Sequence, residues 1–199
     1  NSCQAYISPQ QFLTQTQPEF LDRVKKAVEL TRGEIMVYNS EPIDAIYHST
    51  CGGQTESAKY LWSKDVPYLQ STPCSFCKDS KHFKEELIFS NSQILKLIHK
   101  TNNKLDLKVI SQSPGGRICT LSINGHRIDG AIFRKELGLP SQWFAFKIGD
   151  RQTIFSSRGY GHGIGLCQYG ANGMAQLGKN YHDILKKYYR DIEFLKLPY

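Results

Sequence analysis

The chain has 199 residues, 40% hydrophobic and 22% charged, with a formal net charge of +7. That length suits one domain with a core of good size, and the composition is that of a folded globule rather than a disordered chain. No apolar run approaches the length of a membrane-spanning helix. The excess of lysine and arginine favours an anionic partner, but no helix-turn-helix, zinc-finger or single-strand-binding pattern accompanies it, so nucleic acid is not expected.

In chain order, residues 18–32 carry Phe20, Leu21, Val24, Ala27 and Val28 at three- and four-residue steps, with Gly33 where a C′ glycine belongs. This spacing predicts a helix. Two strands over 34–38 and 43–48 follow, joined by Asn39-Ser40-Glu41-Pro42. Residues 56–82 have weak periodicity broken by Pro67 and Pro73, and read as a long irregular loop that needs an internal staple. A short helix is expected over 91–99. A hairpin of 105–111 with 117–123 should turn through Pro114-Gly115-Gly116, with a further turn at Asn124-Gly125. Residues 129–137 predict a helix capped by Gly138, 144–148 and 152–156 a second hairpin, and 166–177 and 182–189 two last helices. Strands and helices mix without βαβ regularity. The class is α+β: a mixed sheet of hairpins, several short helices and a long metal-stapled loop, in a single domain over 1–199. The chain opens at Asn1 without an initiator methionine, as expected of a fragment or a processed form.

The densest signal is the run Ser157-Arg-Gly-Tyr-Gly-His-Gly-Ile-Gly-Leu-Cys-Gln-Tyr-Gly-Ala-Asn-Gly173. Glycine at almost every second position removes Cβ atoms, so other backbone or a ligand can approach closely. Ordering such a segment costs roughly 0.5–1 kcal/mol per glycine relative to alanine, which suggests a site.

Cys74 and Cys77 form a C-x2-C pair, with Cys51 upstream and His82 close behind. Two thiolates at this spacing sit on one metal ion, and a remote partner completes a tetrahedron. The reading is a structural zinc bound by Cys51, Cys74, Cys77 and a fourth ligand, either His82 or Cys167. Such an ion would staple the long loop. A disulfide among these cysteines in an exported protein is the alternative. A redox pair lacks a thioredoxin-like βαβ context, and a catalytic zinc lacks an HExxH pairing. Cys119 reads as a core thiol.

The segment Tyr47-His-Ser-Thr-Cys-Gly-Gly-Gln-Thr-Glu56, taken with the glycine-rich run, resembles the stage II sporulation protein D and amidase-enhancer family. Cys3-Gln4-Ala5-Tyr6, Pro67-Tyr68-Leu69 and Phe133-Arg-Lys-Glu-Leu-Gly-Leu139 are similar to further landmarks of that family. The resemblance implies a protein of the bacterial cell envelope, outside the cytoplasm, acting on peptidoglycan glycan strands. Family members are lytic transglycosylases, which leave a 1,6-anhydro-N-acetylmuramic acid end and use one glutamate as acid and then base. The resemblance also supports zinc near the groove. The family's catalytic glutamate precedes the position equivalent to Cys3. This chain is therefore expected to lack the N-terminal part of the catalytic domain while supplying substrate groove and metal site, and no catalytic residue is assigned within it. Glu56 is the one carboxylate to watch. The alternative is a non-enzymatic peptidoglycan-binding module that positions or stimulates an amidase; a zinc-dependent hydrolase is a third reading.

Under the glycan reading His162, between Gly161 and Gly163, would hydrogen-bond a sugar or polarise the catalytic carboxyl; otherwise it ties two strand ends together. Ser49 and Thr50 would donate to sugar hydroxyls, or else make local turn bonds. Tyr160 would stack on a pyranose ring, and Gln168 and Tyr169 would line the groove. Each aromatic residue could equally be a half-buried packing group. All of this requires the two motif segments to meet in space.

Overall fold

The computed structural model describes residues 7–100 and 104–198; Cys3-Gln4-Ala5-Tyr6 lies outside the described residues. Two compact units result, one of Asn1–Pro42 with Glu193–Tyr199 and one of Ile43–Ile192. The fold class is α+β, with seven helices among the described residues and several small, mostly antiparallel sheets. Among the described residues no helix is long and apolar enough to cross a membrane.

In the first unit, the helix Pro9–Gln15 starts in a capping box: Ser8 accepts from Gln11 N at 3.2 Å and Gln11 reaches back to Ser8 N at 3.4 Å. Sequence periodicity does not reveal this helix, because it buries no residue. The expected helix over 18–32 runs Pro18–Leu30, and Gly33 follows at φ 69°. Strand Glu34–Tyr38 reverses through Asn39 and Ser40, both at positive φ, so that Tyr38 pairs with Glu41. Glu193–Lys196 adds an antiparallel strand on its other side, unannounced in the sequence.

The second expected strand, 43–48, survives only as Tyr47–His48. Ile46 N–H turns back onto Asp44 O at 2.8 Å, a tight local closure that removes this stretch from any ladder.

The second unit holds two three-stranded antiparallel sheets. One orders Glu85–Ser90, Gln152–Ser157 and Phe144–Ile148; the other orders Leu107–Gln112, Ile118–Ile123 and His126–Asp129. Both expected hairpins are present. Strand Glu85–Ser90 is new: its charged start, Glu85-Glu86, hides the inward alternation of Leu87 and Phe89. The helix Gly130–Leu137 begins where Asp129 accepts from Ala131 N and Ile132 N, and ends at Gly138 with φ 68°. The stretch 56–82, expected to be irregular, contains a short helix, Ala58–Trp62, started by Ser57, whose Oγ accepts from Lys59 N at 3.3 Å; from there to strand Glu85–Ser90 no regular element occurs.

The main core lies around these sheets. Phe155 is fully buried and meets Phe89, Phe133, Phe144 and Phe146 at ring-centroid distances of 5.5–6.0 Å. Such aromatic clusters combine large burial with favourable edge contacts. Truncating Phe155→Ala should destabilise the protein by about 3–5 kcal/mol, read as a lower urea midpoint by circular dichroism with the denaturant slope unchanged.

Candidate functional site

The two sequence motifs meet along the backbone. Thr50 and Tyr160 exchange both main-chain hydrogen bonds, at 3.1 and 2.7 Å. Tyr47–His48 runs parallel to Leu166–Cys167, and Glu56 pairs with Ile164, its N–H reaching Gly163 O at 2.7 Å. The glycine-rich run is thus zipped against residues 47–56 with its glycines facing occupied space. A Cβ on Gly163, itself at φ 81°, would overlap the Arg117 guanidinium. Only glycine meets both demands.

At one end of this zipper lie four buried cysteines. The sulfurs of Cys51, Cys74, Cys77 and Cys167 all fall within 4.8 Å of one another, and the Cys51–Cys77 pair is 3.4 Å apart. None is in a disulfide. Tetrahedral zinc with Zn–S bonds of about 2.3 Å would set its sulfurs roughly 3.8 Å apart, so this donor set could hold such an ion. The surroundings suit thiolates. Cys167 caps the helix Gln168–Gln176, and its sulfur accepts from Cys51 N at 3.2 Å and Gly170 N at 3.3 Å. Tyr188 Oη lies 3.1 Å from Cys74 Sγ. Hydrogen bonding from Cys167, and then from Cys51, holds the Cys74 thiol far below its ordinary range, while the Cys167 contact pushes Cys51 far above it.

Of the two contenders for fourth ligand, the structure brings Cys167 to the cluster and not His82. After Cys77 the chain turns through Ser80, whose Oγ accepts from His82 N at 3.2 Å. The His82 ring then faces Tyr160 at 4.4 Å and its Nδ1 meets Glu85 Oε2 at 3.1 Å.

Behind the zipper sits a buried ion pair that sequence reading did not assign. Glu56 is fully buried, with Arg117 Nη1 at 3.8 Å from its Oε2. Its oxygens accept from Ser113 Oγ, from Gly115 N at 3.1 Å and from Ser57 N at 3.0 Å. Arg117 Nη2 donates to Cys51 O at 3.1 Å and Gln54 O at 2.7 Å. Burial lowers the Arg117 pKa, and Glu56 is the first group to oppose that shift. Glu56, the carboxylate singled out in the sequence, is therefore an interior partner of Arg117 and not a group facing a groove.

Both histidines of the motifs tie loops together. His162 Nε2 donates to Tyr47 O at 3.0 Å and its Nδ1 accepts from Ile164 N at 3.1 Å, the pattern of a neutral ring. Burial lowers its pKa to about 4, against the opposing hydrogen bond to Tyr47. Neither nitrogen is left for a sugar hydroxyl. His48 Nδ1 donates to Ile164 O at 3.0 Å, and its Nε2 is buried with no partner among the described residues. Its pKa is lowered to about 3, chiefly by burial and then by His162. Thr50 is buried as well, its Oγ1 2.7 Å from Ser80 Oγ and 3.3 Å from Ser49 Oγ.

The exposed residues of the motifs include Tyr47, Arg158, Tyr160, Gln168, Tyr169 and Asn172, with Ser49 and His162 partly accessible. Tyr169 N also donates to Ser49 O at 3.1 Å, so the helix start is pinned to the first motif. Trp62, given no role in the sequence because its stretch reads as an irregular loop, ends the helix Ala58–Trp62 and adds a 40% exposed ring 5.1 Å from His162.

Stage II sporulation protein D of Bacillus subtilis (strain 168) is 37% identical to this chain over 175 residues, covering 85% of the chain and 50% of that protein. The Bacillus amyloliquefaciens protein of the same name is 33% identical over 195 residues, covering 96% and 57%. The amidase enhancer of Bacillus subtilis (strain 168) is 27% identical over 225 residues, covering 82% and 31%. The chain thus spans about half the length of the two sporulation proteins. No family model matches the chain.

Because the folded His162 pKa, about 4, lies below the ordinary 6.5, the neutral ring's contribution is complete above pH 6.5 and is lost as pH falls toward 4. Urea midpoints measured from pH 7.5 to 4 should fall more steeply for the wild type than for His162→Gln.

Proposed function

We propose that the chain belongs to the stage II sporulation protein D and amidase-enhancer family, and that it engages peptidoglycan glycan strands outside the cytoplasm as part of a lytic transglycosylase. Homologues carrying those two names support the family and a cell-wall role. The observation that carries the reading is the zipper itself: both motifs of the resemblance pair along the backbone, and Tyr160, Tyr169 and Trp62 each offer an exposed aromatic ring. Aromatic faces suit the apolar C–H faces of pyranose rings. Gln168 and Ser49, both next to Tyr169, are assigned as polar contacts. His162 shapes the groove by locking Tyr47 to Ile164, and does not itself act on the sugar.

Glu56 is excluded from acid–base work by its burial against Arg117. No catalytic glutamate is assigned within this chain. Zinc is assigned to Cys51, Cys74, Cys77 and Cys167, where the four-sulfur set would hold the loop 63–84 in place. A closed shell of four protein ligands leaves no position for a reacting water, so the ion is read as structural.

The resemblance to the amidase enhancer keeps a second reading in play, a non-catalytic wall-binding protein that stimulates an amidase. Incubating the intact protein with purified glycan strands separates the two. Mass spectrometry should find 1,6-anhydro-muramoyl ends. Strand binding without such ends would favour the enhancer, and neither binding nor ends would end both readings.

Elemental analysis should find one zinc per chain. Chelation, or Cys74→Ser, should lower the melting temperature by at least about 10 °C. Protein without zinc and with oxidised cysteines would refute the metal assignment.

A further inference from the structure

A cavity of about 470 Å³, lined by Arg134, Lys135, Leu139, Pro140 and Tyr160 among others, opens beside the glycine-rich run. Sequence reading offers Tyr160 as a stacking residue but assigns no role to Arg134 or Lys135. Its position is fixed from both sides: Gly161 N donates to Pro140 O at 2.9 Å, and Tyr160 is held through both main-chain bonds to Thr50. The Tyr160 ring is 45% exposed and is backed by His82 at 4.4 Å, which Glu85 steadies in turn. One wall of the cavity is therefore a rigid aromatic face.

The opposite chemistry comes from the end of the helix Gly130–Leu137. Gly138, in the left-handed region, folds the chain back so that Leu139 N reaches Arg134 O at 2.9 Å and Arg134 Nε donates to Leu139 O at 3.2 Å. The half-buried guanidinium is held by one nitrogen, while its two terminal nitrogens make no hydrogen bond to another described residue. Neither Arg134 nor Lys135 forms an ion pair among the described residues. A half-buried, oriented fork without a counter-ion is a receptor for an oxyanion, and its planar geometry matches a carboxylate. The volume suits one hexose unit with its substituent.

We propose that Arg134, Lys135 and Tyr160 form a subsite for an acidic hexosamine, with Tyr160 stacked on the ring and Arg134 and Lys135 binding the free carboxylate of a 3-O-lactyl substituent. This rests on the glycan reading above and adds to it. In a strand that alternates neutral and carboxylated sugars, such a subsite sets which sugar occupies which position. A phosphate on a wall polymer offers related chemistry, and the experiment below distinguishes the two.

The test is calorimetric titration of the intact protein with three ligands: a tetrasaccharide alternating N-acetylglucosamine and N-acetylmuramic acid, the same tetrasaccharide as its methyl ester, and chitotetraose. A glycerol-phosphate oligomer is the fourth arm. The free acid should bind about tenfold more tightly than the ester or chitotetraose, the yield of one charge-assisted contact. Arg134→Gln should bring that ratio within about twofold while the melting temperature holds. If Arg134→Gln fails to fold, the exposed Lys135→Gln should still lower the ratio. Equal binding of acid, ester and chitotetraose would leave the glycan reading standing and overturn the subsite. So would a ratio that survives both substitutions, or a preference for glycerol phosphate alone. Binding of no saccharide would overturn both.

Discussion

Four sulfur atoms from three separated stretches of chain must share one buried volume, and the rest of the site is arranged around that demand. Cys51 and Cys167 are 116 positions apart in sequence, yet a main-chain N–H of one meets the sulfur of the other at 3.2 Å. Uncharged thiols give such a cluster little cohesion. Ionised, they repel, by about 4 kcal/mol for each pair at 4 Å with an effective dielectric constant of 20. A bound dication, as proposed above, reverses the sign of that interaction. The N–H of Gly170, from a helix start, and the N–H of Cys51, from the first motif, are both aimed at the Cys167 sulfur and supply positive potential where negative charge would gather. The cluster also explains why the long irregular loop can be ordered: Cys74 and Cys77 anchor its middle, and the Gln54–Pro73 bridge with Cys74 N on Gly53 O at 2.9 Å ties it to the first motif.

The second constraint follows from the first. Loops bared to backbone by glycine carry many polar groups into the interior, and these need partners. Arg117 supplies them. One guanidinium reaches the carbonyls of Cys51 and Gln54, lies against Gly163, and faces the Trp143 ring at 5.2 Å. Its burial is tolerable because Glu56 is buried beside it, and Glu56 in turn docks the turn at Ser113 and Gly115. Removing either partner would strand a buried charge, typically a loss of 3–5 kcal/mol. The pair thus joins the first motif, the glycine run and a sheet hairpin in one network, and the carboxylate of the first motif is thereby committed to structure.

Much of this was legible in the sequence where local chemistry dictates the answer. The glycine turns, the Gly138 cap and the Cys74–Cys77 spacing depend on neighbours a few residues away, and all appear as read, whereas the Asp129 cap went unread. The convergence of residues 47–56 with the glycine run was inferred from the paired motifs and is present as backbone pairing. What stayed hidden is what depends on distant partners. Strand Glu85–Ser90 is masked by its charged start and is defined by pairing with Gln152–Ser157. Strand Glu193–Lys196 exists only through Glu34–Val37. The choice of Cys167 over His82 turned on the direction of the chain after Cys77, which spacing does not encode. Likewise a lone Arg117 within a strand sequence gives no hint that it is fully buried.

These placements divide the labour within the glycine run in a way that side-chain identity alone does not suggest. The polar residues that look most like sugar contacts, His162 and Thr50, point inward and hold loops together. Tyr160 and Tyr169, which the sequence left open between glycan contact and packing, are exposed. Recognition built on aromatic faces tolerates small shifts of a sugar ring, because stacking is less directional than hydrogen bonding. A surface of this kind grips a glycan without fixing its register. Fixing the register calls for a directional group next to an aromatic face, and Arg134 beside Tyr160 is the oriented cation in that position. In the proposed subsite, tight backbone pairing would set the distance between stacking face and guanidinium fork, which a flexible loop would leave undefined.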